Sequence, residues 1–233
     1  MKALFLIIAL LGITSVTEAQ IIDKLKKALG KDKDLTEADA SAGLKEALIQ
    51  GVTKGTDIVS QVDGYYGNPA IKIPMPDDAR QVESTLRKLG MGKQVDEAIE
   101  SMNRAAEDAA SAATPIFIHA IEKMTITDAV GIVQGGDTSG THYLRGRTTG
   151  QLHEAFKPSI KSSLDKVDAT KHWKDVMSAY NKVPFVKKVN TDLADYVTGE
   201  AINGLFHMIA QEEQNIRTNP AARTTDLLEK VFK

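Results

Sequence analysis

The amino-acid sequence predicts an all-α protein, a single bundle-like domain of roughly eight to ten helices. Three observations predict it. Apolar residues recur at steps of three and four along nearly the whole chain, and the ends of those stretches carry capping residues, glycine or proline. No stretch alternates apolar and polar as a half-buried strand does. An apolar fraction of 42% with 26% charged residues is enough to bury a proper core, and no shift of composition divides residues 35–233.

The first segment reads as a leader. Met1-Lys2 is a short positive region, residues 3–16 are apolar, and Thr17-Glu18-Ala19 resembles a cleavage site. Residues 1–19 are therefore expected to be a secretory signal peptide, and the mature protein to be exported and periplasmic, or secreted. No later segment approaches the ~20 apolar residues that span a bilayer, so no transmembrane segment is expected in the mature chain. Residues 20–34 place Ile21, Ile22, Leu25 and Leu29 on one face, ringed by lysines. This suits weak contact of residues 21–33 with a membrane surface or packing on the body; Asp23, Asp32 and Asp34 dilute the positive face.

Thr36 to Asp39 has the pattern of a capping box and opens the first long helix. Gly43, Ala47, Gly51 and Gly55 then form a ridge of small residues that admits another helix closely. Turn residues follow at 64–69, and the prolines of 71–76 require an extended strap. Asp77-Asp78 starts a helix that Leu89 to Gly92 stops. From 93 to 113, Val95, Ile99, Met102, Ala106 and Ala109 form the clearest stripe; Asn103 borders it, with Glu107 one turn on as a local partner. Thr114-Pro115 is expected to start the next helix and Thr125 to Asp128 another, which Gly135-Gly136 ends. Asp137, Thr138 or Thr141 then caps a helix through Leu164 that Pro158 should kink or split. Trp173, Met177 and Tyr180 lie on one side of a further segment, and 183–185 is a linker. A last long helix runs from Thr191 to Asn219-Pro220, with Glu212 inside its apolar stripe, and Thr225 caps a short tail helix.

Much catalytic chemistry is missing from the sequence. There is no cysteine, hence no thiol catalysis or disulfide. None of the five histidines has a glutamate three residues earlier, and there is no HExxH, EF-hand loop, Walker loop or G-x-S-x-G elbow. No metal and no cofactor is expected. The net charge of −2 gives no reason to expect nucleic acid. What remains is the break at Gly135, Gly136, Asp137 and Thr138, followed by Thr141, Tyr143 and Arg145. A helix start there offers free amides, hydroxyls and nearby arginines, which suit an anion. The same residues also serve as a helix stop followed by a cap.

Four phrases carry a family resemblance: NPAIKIPMP at 68–76, SMNRAAE at 101–107, MTITDAVGIVQGGDTSGTHYLRGRT at 124–148, and GLFHMIAQEEQNIRTNPAARTTDLLEKVF at 204–232. Together they resemble the exported bacterial family catalogued as domain of unknown function 4197. The resemblance implies a helical fold and an envelope location and carries no assigned activity. Its phrases point to Asn103, Arg104, Glu107, Asp128, Gly135, Thr141, Tyr143, Thr148, Glu213 and Arg217; Glu213 fits its Glu-x-x-Ile-Arg phrase better than Glu212. The functional expectation is a binding or interaction module for a small anionic or amphipathic ligand, a partner peptide or an envelope protein. Its site would draw on Asn103, Asp128, Gly135, Gly136, Asp137, Thr138, Thr141, Tyr143, Arg145, Glu212, Glu213 and Arg217, in a groove flanked by the 135–148 turn and the 204–217 helix. A hydrolase using glutamate, tyrosine and arginine, and a purely structural envelope protein, are the alternatives.

Overall fold

The computed structural model describes residues 36–166, 168–170, 173–174, 178, 181–182, 188 and 192–232. The leader, residues 20–34, Met177, Tyr180 and the linker at 183–185 lie outside them. The described residues hold eight α-helices and no strand. These are α1 (Glu37–Val59), α2 (Arg80–Lys88), α3 (Gly92–Ala110), α4 (Ala113–Glu122), α5 (Ile126–Val133), α6 (Ser139–Asp165), α7 (Leu193–Thr218) and α8 (Asp226–Val231).

Local chemistry starts most of them. Thr36 and Asp39 close a capping box at α1, Thr125 and Asp128 close one at α5, and the Thr225 hydroxyl accepts from the Leu228 N–H at α8. Two boundaries differ from expectation. α4 begins at Ala113 rather than at Thr114-Pro115, so Pro115 falls in its first turn, where a missing N–H costs little. α6 is not split by Pro158: Phe156 and Ile160, both fully buried, anchor the helix on either side of it.

α7 lies between α1 and α6, and α3 packs on α6 and also touches α7. The small-residue ridge of α1 is where its neighbours approach. A Cβ at Gly55 would stand 3.2 Å from Ile209 Cγ1 of α7, and one at Gly43 only 2.7 Å from Val231 Cγ2 of α8. The main core runs through this seam, from Leu44, Leu48 and Val52 to Leu205 and Ile209, and on through Leu144, Leu152 and Phe156 to Met102.

The strap after α1 is fixed by side chains. Ile71, Ile73 and Met75 alternate inward, yet among the described residues no strand pairs with them. Asn103 of α3 takes that role: its Oδ1 accepts from the Ile73 N–H at 2.8 Å and its Nδ2 donates to the Ile73 carbonyl at 2.9 Å. Glu107 Oε1 accepts from the N–H groups of Tyr65 and Tyr66 at 3.0 and 3.1 Å. The wholly buried Tyr65 donates its hydroxyl to the Ala201 carbonyl of α7 at 2.6 Å. Asn103 and Glu107 thus serve the strap, not each other.

Candidate functional site

The start of α6 is capped from another helix. Thr138 stands at the N-cap with no side-chain bond to the helix, so the N–H groups of the first turn need another acceptor. Glu213 of α7 supplies it. Its Oε1 accepts from the Gly140 N–H at 2.9 Å, and its Oε2 accepts from the Thr141 N–H at 2.7 Å and the Thr141 hydroxyl at 2.8 Å. Arg217, one turn along α7, donates Nε and Nη2 to Oε1 at 3.1 and 2.9 Å. The same Nη2 reaches the Ile132 carbonyl in the last turn of α5 at 3.1 Å.

The charges suit their places. The carboxylate sits at the positive end of α6 and the guanidinium at the negative end of α5. Glu213 is 6% and Arg217 10% exposed, so both are paired away from water. Close packing requires Gly140: a Cβ there would lie 2.5 Å from Leu48 Cδ2 and 3.0 Å from Glu213 Oε1. The break between α5 and α6 is therefore an anion seat, and the anion in it is the protein's own carboxylate. Five hydrogen bonds converge on Glu213, which fills its acceptor capacity.

The other sequence-derived residues fall elsewhere. Asp128 is held by the Thr125 hydroxyl and N–H, which keep its carboxyl below the usual range. Its Oδ2 also accepts from the Tyr143 hydroxyl at 3.4 Å. Burial, then the charge of Asp128, pushes the Tyr143 phenol upward. Arg145 donates to Asn203 Oδ1 at 3.0 Å and lies 4.4 Å over the Phe206 ring. Glu212 turns toward α1 and pairs with Lys54 at 2.7 Å; the buried acid of this helix is its neighbour Glu213. Gly135, Gly136 and Asp137 are exposed and Thr138 is half-buried. Asn103 is in the strap contact.

Of the candidate residues, the structure brings together Thr141, Glu213 and Arg217 around the 135–138 turn. It does not bring Tyr143, Arg145 or Glu212 to that centre. Sequence reasoning missed Gly140, the Ile132 carbonyl and Asn203. Only Gly140, a glycine opening a helix where propensity disfavours it, left a readable signal. Among the described residues no group of three or more histidines, aspartates or glutamates could hold a metal.

A family model described as a protein of unknown function, DUF4197, matches residues 34–233. No curated protein and no solved structure matches the chain.

Proposed function

Because the chain belongs to the DUF4197 family, we propose its role from its own geometry: an exported interaction module that presents the outer seam of α6 and α7 to a partner protein. The observation that carries this reading is the saturation of Glu213. The seat that would take a small anion already holds a carboxylate, and Glu107 is likewise bound by Tyr65, Tyr66 and Arg104. A general acid or base needs a proton it can exchange with a substrate, and these two acids face only internal donors. The apolar leader at 1–19 supports export.

The seam offers what a partner needs. Arg145–Asn203 and His153–Asp195 contacts mark where α6 meets α7. Beside them lie Gly146, Gly150 and Gly199, where an added Cβ would meet nothing within 4 Å. An exposed glycine inside a helix costs about 1 kcal/mol relative to alanine, and at Gly146 and Gly150 no packing among the described residues offsets it. Close approach of another backbone would. The stacked Arg145 is already ordered, so little of its entropy remains to be lost on binding.

Photo-crosslinking in cells tests this. A photoreactive residue at Thr149 or Asn203 is expected to give one discrete adduct, which Gly150→Arg removes while the melting temperature stays within about 2 °C. No adduct from either position, or the same adduct from a control at Thr127 on α5, overturns the reading.

A further inference from the structure

We propose a second working surface, independent of the first: the tip of the α2–α3 hairpin, residues 87–93, docks on an anionic phospholipid bilayer. α2 packs on the short 3-10 turn before it (Asp77–Ala79) and on α3, and none of its residues is buried. It lies at the edge of the bundle: the half-buried Val82 packs against the core, while Arg87, Lys88 and Leu89 at its far end are exposed. Its end is sharply defined. The Met91 N–H donates to the Leu86 carbonyl at 3.0 Å and the Gly90 N–H to the Arg87 carbonyl at 3.1 Å, with Gly90 at φ +80°. That paired pattern is a Schellman stop, which needs a residue at ease in the left-handed region.

The turn holds out two large apolar side chains, Leu89 at 71% exposure and Met91 at 40%. Cations flank them: from Ser84 to Val95 the chain carries Arg87, Lys88 and Lys93 and no acid. Arg87 is engaged by Glu83 and Asp96. Lys93 reaches only Glu97, at 3.4 Å between exposed groups, and among the described residues Lys88 has no ion-pair partner. An exposed turn that sets an apolar pair between Lys88 and the weakly paired Lys93 matches the layering of a bilayer surface. The apolar groups enter the acyl boundary while the lysines stay at the phosphates.

The test is co-sedimentation of the chain from residue 20 onward with phosphatidylglycerol-containing vesicles at low salt. Each lysine near an anionic leaflet contributes about fivefold to partitioning. Lys88→Gln/Lys93→Gln should therefore bind roughly twenty-five-fold more weakly, and Leu89→Ser/Met91→Ser roughly tenfold more weakly. Both variants should keep the wild-type circular dichroism, since the four side chains are exposed. Failure of the wild type to partition, equal binding to pure phosphatidylcholine, or wild-type binding by either double variant overturns the proposal. The last result would move membrane contact to another segment, such as residues 21–33.

Discussion

Replacing Glu213 by glutamine keeps the shape of the side chain and removes what makes it an acceptor on both sides. One oxygen becomes an NH2 group, which must point either at the Gly140 N–H and Arg217 or at the Thr141 N–H and hydroxyl. On the Arg217 side donor meets donor without relief; on the Thr141 side only the hydroxyl can turn to accept. Arg217, 10% exposed, meanwhile loses its counter-charge in either orientation, and where the NH2 group faces it, it keeps only the Ile132 carbonyl. The five bonds share one carboxylate, so their values do not add. Breaking a buried pair from one side costs about 3–5 kcal/mol. At roughly 2–4 °C per kcal/mol for a chain of this size, the melting temperature should fall by roughly 6–20 °C. Urea denaturation of Glu213→Gln beside Glu212→Gln is the assay. Glu212 pairs with a lysine that is 51% exposed, so its variant should lose no more than about 1 kcal/mol. A loss below about 1 kcal/mol at Glu213, or equal losses at the two positions, would refute the reasoning.

Three further outcomes follow from the same contacts. Asn103→Ala leaves the Ile73 N–H and carbonyl unpaired at a residue 1% exposed; it should cost about 2–4 kcal/mol, and hydrogen exchange at the Ile73 amide should accelerate. An unchanged exchange rate there would show that the strap does not depend on Asn103. Burial, then the charge of Glu107, raises the Tyr65 phenol, so folding favours its protonated form. That contribution is complete below the unfolded value near 10 and is lost as pH rises through the folded one. Stability should thus fall by about 1 kcal/mol from this residue between pH 10 and 11, and Tyr65→Phe should flatten that part of the slope; an identical slope would contradict the assignment. Gly146→Ala and Gly150→Ala have open space at the new Cβ and should each stabilise the isolated chain by about 0.5–1 kcal/mol. Destabilisation of either would mean that the glycine already serves the fold.

The helices were legible because their signals are local. The boxes at Thr36–Asp39 and Thr125–Asp128 need only four residues of sequence, and the ridge from Gly43 to Gly55 announces a close neighbour without naming it. The neighbour could not be read, since Ile209 and Val231 are more than 150 positions away in the chain. The same limit governed the candidate site. The 135–141 break was visible as a place where helix amides need an anion, but Glu213 lies 72 residues beyond Thr141. Periodicity placed Glu212 in the apolar stripe. Real packing rotates α7 so that Glu212 meets Lys54 and Glu213 enters the seat, a difference of one residue, or 100° around the helix. At Pro158 the local rule allows a kink or a split, and burial on both sides of the proline excludes the split.

The claim that the seat belongs to the protein itself is tested most directly at the amides of Gly140 and Thr141. In an amide nuclear magnetic resonance spectrum of the full chain, titration with inorganic phosphate should leave both signals where they are, because Glu213 already occupies the positions a phosphate oxygen would take. A saturable shift of these two signals, with those of the α1 interior unmoved, would show that the seat opens to a ligand, and would contradict the account.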